Sequence, residues 1–181
     1  MRIQKQYCWN GKGCRGAAGP SAARVWLRAL RLHFVLPSIL PALLGGVMAW
    51  AAGHPPNGLH FALVVIGVTV NHFGLNLVDD VLDYRHTVDL QTGGEKNFFT
   101  GGSGVLPEGL LKESRMLTAA ALFFAATAGI GIYLAWACGW PVLALGIFGM
   151  ACSIFYTAPP IRFGYRGFGE LGLLVNFGPV I

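Results

Sequence analysis

The chain of 181 residues carries 13 Lys or Arg and 8 Asp or Glu, so that only 12% of its residues are charged while 54% are apolar. Soluble domains are about a quarter charged, and two stretches here, 32–78 and 116–161, contain no Asp, Glu, Lys or Arg. Each stretch has room for two membrane crossings of about 20 residues and a turn. The composition therefore argues against a soluble protein and predicts a multi-pass protein in a lipid bilayer.

The first 22 residues are rich in Gly, Lys and Arg, and they predict a disordered cytoplasmic lead-in before a membrane domain over 23–181. Turn residues at 53–58 and at 139–141 divide the two charge-free stretches. The pattern predicts helices at about 32–52, 59–83, 116–137 and 141–157, and a fifth apolar segment from Glu170 to Ile181. The fold class is therefore an all-α transmembrane bundle.

The basic residues predict how this bundle is oriented. All 13 Lys and Arg lie before the first helix, between the second and third, or between the fourth and fifth, and the two short turns carry none. Cytoplasmic loops are enriched in Lys and Arg. We therefore expect the N-terminus and these loops to be cytoplasmic, in the inner or plasma membrane of the cell.

Polar side chains recur at the cytoplasmic end of the second predicted helix. At about 100° per residue, Asn76, Asp79, Asp80 and Asp83 share one face, which we call the carboxylate stripe, and His72 joins that face one turn earlier. A charged side chain in a membrane helix costs about 2.5–3.5 kcal/mol at the bilayer centre, and adjacent carboxylates repel each other. The stripe therefore predicts a functional site, whereas His72 is expected to make a polar contact within the bundle.

The charge of the stripe indicates what it binds. The nearest basic residue in the sequence is Arg85, and one arginine cannot neutralise three carboxylates. Oxygen ligands suit Mg²⁺, which shares its coordination shell with water and phosphate oxygens. The stripe therefore indicates a Mg²⁺ site that binds a diphosphate. Two other interpretations stay open: the helix ends at Val78 and the carboxylates are solvated, or the site belongs to a cation channel or transporter.

Three segments resemble the UbiA superfamily of membrane prenyltransferases. The stretch NLVDDVLDYRHTVD (76–89) resembles the first family motif, Asn-x-x-x-Asp-x-x-Asp with a further Asp. The stretch YTAPPIRFGYRGFGELG (156–172) resembles a later Tyr- and Gly-containing segment, and WLRALRLHFVLPSILPALLGG (26–46) resembles the first helix. The likeness covers about 24–181. Its spacing is similar to the branch that prenylates 1,4-dihydroxy-2-naphthoate, although that branch often has Asn in place of Asp79.

The resemblance implies a bundle of nine helices with a second Asp-rich motif near the sixth, of which this chain holds about the first five helices. It implies that Asp80 and Asp83, helped by Asp79, hold Mg²⁺ and that Asn76 orients the metal shell. The catalytic residues would then be Asn76, Asp80 and Asp83. The residues implied to bind substrate are Lys96, Arg162, Arg166, Tyr156 and Asp89.

The implied activity is that of a Mg²⁺-dependent membrane enzyme that transfers a polyprenyl group from a polyprenyl diphosphate to an aromatic acceptor, such as 1,4-dihydroxy-2-naphthoate in menaquinone biosynthesis. The metal would neutralise charge on the leaving diphosphate, and the prenyl tail would lie along an apolar lumen lined by residues such as Phe73. The alternatives are a UbiA-type enzyme with another quinone, haem or lipid acceptor, and an inactive membrane fragment without the second metal motif. No nucleic acid is expected among the partners.

Overall fold

The computed structural model describes residues 20–85, 102–157, 159–176 and 178, and no strand occurs among them. The α-helices in chain order are α1 Ala22–Leu30, α2 Leu36–Ala51, α3 Gly58–Arg85, α4 Glu113–Cys138, α5 Trp140–Thr157 and α6 Gly169–Val175. Single 3-10 turns at Leu32–Val35 and Phe163–Arg166 precede α2 and α6. The prediction of an all-α bundle is confirmed. The predicted lead-in, up to residue 19, lies outside the described residues.

Three helical segments of the described chain are long and apolar enough to cross a membrane: Ala22–Ala51, Gly58–Arg85 and Glu113–Cys138. α5 is apolar as well but shorter. Trp50, Trp136 and Trp140 are strongly exposed at the helix ends opposite the carboxylate stripe. Tryptophan is enriched where a membrane helix meets water, so these side chains are placed as interface anchors.

The turns that separate the helices form where the sequence predicts them. Gly53 adopts a left-handed φ of 83° in the α2–α3 turn, and Gly139 has a φ of 107° between α4 and α5. Asn57 caps the start of α3, because its Oδ1 accepts hydrogen bonds from the backbone N–H groups of Leu59 and His60 at 3.0 and 3.2 Å. Such a side-chain acceptor satisfies N–H groups that have no partner inside the helix.

A helix that the sequence did not predict, α1, precedes the first predicted membrane helix. Arg31 breaks the chain in a left-handed conformation with a φ of 49°, so the predicted start at about residue 32 falls at this break. The cause is a pair of long-range contacts. Asn76 Nδ2 donates to the Leu30 carbonyl at 2.9 Å, and the Arg31 guanidinium pairs with Asp80 at 2.7 Å. These contacts hold the end of α1 against α3.

α3 is the central helix, since it packs along α4 and also contacts α1, α2 and α5. A buried apolar cluster forms where α1, α3, α4 and the segment 102–111 meet, and its members are Val25, Ala29, Leu77, Val81, Val105, Leu106, Met116 and Ala120. Arg28 ties the same segment to α1, because its Nε donates to the Ser103 carbonyl at 2.7 Å and its guanidinium pairs with Glu108 at 2.5 Å. Packing therefore fixes the surroundings of the carboxylate stripe.

α2 approaches α3 closely at Gly46, where an added Cβ would overlap the ring of Phe61. We expect Gly46→Ala to lower the free energy of unfolding by about 1–3 kcal/mol, because the ring must leave a packed interface. Gly129→Ala in α4 is the matched control, since nothing lies within 4 Å of a Cβ there, and alanine favours helix over glycine. Unfolding in detergent micelles, followed by circular dichroism, compares them. Equal stability of the two variants would contradict the close approach.

Candidate active site at the carboxylate end of α3

The carboxylate stripe lies wholly within a helix. α3 continues to Arg85, so the interpretation in which the helix ends before the carboxylates is wrong. Asn76 and Asp80 are buried, whereas Asp79 and Asp83 are only half-buried. The stripe therefore has a buried side, facing α1 and the segment 102–111, and an accessible side.

The buried side is organised around Asp80, which is only 2% exposed. Its two oxygens lie 3.1 and 3.3 Å from the backbone N–H donor of Ser103, and its Oδ1 pairs with Arg31 Nη2 at 2.7 Å. Arg31 also reaches toward Asp79, with Nη1 and Oδ2 separated by 3.9 Å. The Asp80 carboxylate is thus engaged by a cation of the protein itself, and it links the α1–α2 junction to the segment 102–111.

Arg31 is the residue at this site that sequence reasoning missed. Arg85 is the nearest basic residue in the sequence, but it pairs with Glu113 at 2.8 Å. The Arg31 side chain is 11% exposed and its guanidinium carbon lies 5.8 Å from the centre of the Phe34 ring. A signal for it existed in the sequence. Arg31 is the last charge before the first charge-free stretch, so it had to emerge at the same end of the bundle as the carboxylates.

The 3-10 turn that precedes α6 lies next to the accessible side of the stripe and contacts Asp83. The Tyr165 hydroxyl donates a hydrogen bond to Asp83 Oδ1. Tyr156, at the end of α5, lies within electrostatic range of both Asp79 and Asp83. A Cβ on Gly164 would come within 2.9 Å of the Tyr156 carbonyl oxygen, so glycine permits the turn to lie against the end of α5. The structure thus brings the predicted Tyr156 to the carboxylates.

The two arginines of this turn have different surroundings. Arg162 adopts a left-handed φ of 48°, and its Nε is buried without a hydrogen-bond partner in the part of the chain that the structure describes. It lies close enough to Tyr165 to act on it electrostatically. Arg166 is exposed, and its Nη2 donates to the Pro160 carbonyl at 3.2 Å. Arg162 therefore offers a buried, unused donor in the turn that contacts Asp83, whereas the guanidinium of Arg166 is exposed to solvent.

The Tyr165 phenol is held in its neutral form. Burial and the hydrogen bond to Asp83 raise the pKa of Tyr165, since a phenolate there would be desolvated beside the charges of Asp83 and Asp79. Because the folded pKa exceeds the unfolded value of about 10, the stability that the phenol contributes is present below pH 10 and is lost as the pH rises through the raised pKa.

This raised pKa can be measured by following tyrosine absorbance at 295 nm as the pH is increased. We expect Tyr165→Phe to remove one tyrosine from the late part of the titration, which lies above the usual phenol pKa of about 10. Asp83→Asn should move that tyrosine to lower pH, because it removes the negative charge that opposes ionisation. An unchanged late phase in Tyr165→Phe would show that the phenol ionises normally.

The donor set of the accessible side fits a magnesium ion. No group of three or more His, Cys, Asp or Glu side chains placed to hold a metal occurs in the ranges that the structure describes. Mg²⁺, however, is commonly held by one or two carboxylates together with substrate phosphate oxygens. Asp79 and Asp83, one helical turn apart and half-buried, provide such a pair. The predicted substrate residues Asp89 and Lys96 lie outside the described residues.

A cavity of about 320 Å³ lies among α3, α4 and α5. Leu75, one turn before Asp79, lines its near end, and the cavity extends along α3 to Leu63. Phe73, predicted to line an apolar lumen, instead packs against Phe123 with ring centres 5.9 Å apart. The cavity therefore begins one helical turn from the accessible carboxylates and follows α3 toward its N-terminal end.

Curated proteins are similar to this chain over most of its length. The 2-carboxy-1,4-naphthoquinone phytyltransferase of Synechocystis sp. is 26% identical over 167 residues, which are 91% of this chain and 50% of that protein. The 1,4-dihydroxy-2-naphthoate octaprenyltransferase of Bacillus subtilis is 24% identical over 170 residues, or 94% and 52%. The UbiA prenyltransferase domain-containing protein 1 homolog of Drosophila melanogaster is 26% identical over 163 residues, or 87% and 43%. The chain thus spans about half the length of these relatives.

No solved structure matches the chain significantly. The model of the UbiA prenyltransferase family matches residues 38–181, which include the whole carboxylate stripe and the turn with Arg162 and Tyr165. The apolar helices and this match together make the chain a membrane protein. Since the matched range covers most of the sequence, the chain belongs to the UbiA prenyltransferase family.

Proposed function

We propose that this chain is the donor-binding part of a membrane-bound, Mg²⁺-dependent prenyltransferase. The reaction transfers a polyprenyl group from a polyprenyl diphosphate to an aromatic acceptor of the 1,4-dihydroxy-2-naphthoate type, as in menaquinone biosynthesis. The names of two relatives, which specify a naphthoate and a naphthoquinone, support this choice of acceptor. UbiA prenyltransferases generally use Mg²⁺, which supports the choice of cofactor.

The observation that carries the proposal is the mixture of charges on the accessible side of the stripe. Two half-buried carboxylates, Asp79 and Asp83, lie beside a turn that contains Arg162, whose buried Nε has no hydrogen-bond partner among the described residues. A carboxylate pair suits a hard divalent cation, and a guanidinium N–H suits a phosphate oxygen. A metal diphosphate is a ligand that satisfies both groups at once.

The residues on the accessible side then have distinct roles. Asp79 and Asp83 would hold the metal, and Arg162 would donate its Nε–H to a diphosphate oxygen. Tyr165 keeps the Asp83 carboxylate in position through its hydroxyl. When bound, Mg²⁺ supplies Lewis-acid stabilisation of the charge on the leaving diphosphate. The prenyl group is transferred to a ring carbon of the acceptor, which in the naphthoate case loses its carboxyl group.

The buried side has a positioning role in this proposal. The sequence-based hypothesis made Asp80 a metal ligand and Asn76 an orienting residue, and both remain hypotheses about the loaded site. In the structure Asp80 binds Arg31 and Ser103, while Asn76 binds the Leu30 carbonyl. We therefore assign Asp80 and Asn76 to holding α1 and the segment 102–111 against α3, next to the carboxylates that would receive the metal.

We also propose that the carboxylate end of α3 faces the cytoplasm, in the cell membrane. The support is the location of all 13 Lys and Arg on one side of the predicted helices. The ion pairs support the same orientation, because Arg28, Arg31 and Arg85 all pair with carboxylates at the carboxylate end of α3.

The test is the binding of farnesyl diphosphate to the chain in lipid nanodiscs, with Mg²⁺ or with a chelator, while transfer to 1,4-dihydroxy-2-naphthoate is measured in parallel. We expect the chelator to weaken binding at least about tenfold, because the two carboxylates then repel a multiply charged diphosphate with no metal ion between them. Asp83→Asn should remove most of the dependence on Mg²⁺. Glu113→Gln is the control, since this carboxylate pairs with Arg85 and takes no part in the proposed site.

The outcomes separate the parts of the proposal. Equal affinity for farnesyl diphosphate with Mg²⁺ and with the chelator would reject the metal diphosphate site. Mg²⁺-dependent binding with prenylation of a different acceptor would keep the site and replace the naphthoate. An equal loss of Mg²⁺ dependence in Glu113→Gln and Asp83→Asn would show that the effect is one of overall charge.

A further inference from the structure

The cavity among α3, α4 and α5 is mostly apolar, but it has a polar side. The apolar walls come from residues such as Leu63, Val68, Leu75, Ile130 and Leu134. The polar side chains that line it are Ser38, Asn71, His72, Thr127, Ser153 and Asn176. None of these six belongs to the metal diphosphate site, and polar groups placed inside a membrane bundle call for a partner.

Five of the six polar side chains make hydrogen bonds within the protein, among them Thr127, whose Oγ1 donates to the Phe123 carbonyl at 3.0 Å. Ser38 Oγ and His72 Nδ1 are 2.8 Å apart, which confirms the polar contact expected for His72. Asn71 Nδ2 donates to Ser153 Oγ at 3.0 Å. The Asn71 Oδ1 atom is buried and accepts no hydrogen bond from any residue that the structure describes. A buried carbonyl oxygen in that state favours a ligand that brings a hydrogen-bond donor.

The size and position of the cavity narrow the ligand further. An apolar cavity of about 150 Å³ is enough to hold benzene, so the present volume of about 320 Å³ is suited to a two-ring aromatic molecule. Asn71 precedes Asp79 by eight residues of α3, or about 12 Å along the helix axis. A fused two-ring molecule with one hydroxyl at Asn71 would reach most of that distance toward the carboxylates.

We propose that Asn71 is a positioning residue for the acceptor: the acceptor, a two-ring phenol, lies in this cavity and donates its phenolic O–H to Asn71 Oδ1. The proposal rests on the function proposed above, which requires an electron-rich aromatic acceptor near the donor diphosphate. Asn71 then determines which end of the acceptor lies deep in the bundle. The rings lie against the apolar walls, with a ring carbon turned toward Asp79.

The experiment measures how two probes, 1-naphthol and 1-methoxynaphthalene, bind to the full chain in nanodiscs without Mg²⁺ or diphosphate. The probes have the same rings, but only 1-naphthol has a hydroxyl hydrogen. We expect 1-naphthol to bind about fivefold more tightly, as one net hydrogen bond predicts. Asn71→Leu should remove this preference while leaving 1-methoxynaphthalene binding within about twofold.

A second pair of variants tests the location independently of Asn71. Gly131 lines the cavity and Gly129, on the same helix, does not, and nothing lies within 4 Å of a Cβ at either position. Gly131→Val should therefore fill part of the cavity and weaken both probes at least tenfold. Gly129→Val makes the same change on α4 outside the cavity and should alter binding by less than about twofold.

Equal affinity of the wild type for both probes would overturn the role of Asn71, and an unaffected Gly131→Val would overturn the location. Absence of 1-naphthol binding would reject the subsite altogether. Because no metal or diphosphate is present, these results are independent of the donor test. If 1-naphthol binds but diphosphate binding does not depend on Mg²⁺, only the proposed function is rejected. If diphosphate binding depends on Mg²⁺ but 1-naphthol does not bind, only the acceptor subsite is rejected.

Discussion

Asp80→Asn should lower the free energy of unfolding by on the order of 3 kcal/mol, whereas Asp83→Asn, three residues later in the same helix, should change it by less than about 0.5 kcal/mol. The difference arises from burial. Asp80 is 2% exposed and paired with Arg31 at 2.7 Å, so its neutralisation leaves a largely buried guanidinium without its closest counter-charge. Asp83 is half-buried, and an Asn there can still accept the Tyr165 hydrogen bond.

Urea unfolding of the purified protein in detergent micelles, followed by circular dichroism, measures this difference, and farnesyl diphosphate binding is measured on the same samples. Asp83→Asn should lose Mg²⁺-dependent binding while it keeps its stability. Asp80→Asn should lose stability, as measured by its free energy of unfolding. The double variant Arg31→Gln/Asp80→Asn should recover part of it, because removal of both partners leaves no buried unpaired charge.

The opposite pattern would redefine the site. If Asp80→Asn were as stable as the wild type and yet lost all Mg²⁺-dependent binding, Asp80 would be a direct metal ligand. Arg31 would then have to leave Asp80 when the metal binds. A double variant less stable than either single variant would show that Arg31 and Asp80 act separately.

Arg162→Gln should weaken farnesyl diphosphate binding about 30-fold, and Arg166→Gln should weaken it by less than about threefold. Loss of one partner from a buried, charged hydrogen bond costs on the order of 2 kcal/mol, which corresponds to about 30-fold in affinity. Arg162 Nε is buried and lacks a partner among the residues described. Arg166 is exposed and already donates to the Pro160 carbonyl, so a ligand gains little from it.

Titration of each variant with farnesyl diphosphate at fixed Mg²⁺, at low and at high salt, checks this prediction. The effect of Arg166→Gln should shrink at high salt, because exposed charges are screened, while the effect of Arg162→Gln should persist. Equal losses in the two variants, both abolished by salt, would mean that the turn attracts the donor only through its net charge. The assignment of Arg162 to a specific phosphate contact would then be wrong.

Much of the fold could be predicted from the sequence because its determinants are local. The absence of charge over 32–78 and 116–161 marks the membrane segments, and glycines and prolines mark the turns. The helices at Gly58–Arg85, Glu113–Cys138 and Trp140–Thr157 begin and end within about three residues of their predicted limits. The separate helix α1 was not predicted, since its position depends on contacts of Leu30 and Arg31 with Asn76 and Asp80, which are distant in sequence.

The sequence by itself determined that three carboxylates and an amide share one face of a membrane helix, because helical period and spacing suffice for that inference. Only the tertiary structure decided how that face is divided. Arg31 and Ser103 cover Asp80, while the turn with Arg162 and Tyr165 covers Asp83. The physical reason is that an ion pair or hydrogen bond between distant segments depends on which helix faces pack together. That packing is a property of the whole bundle, and no local pattern encodes it.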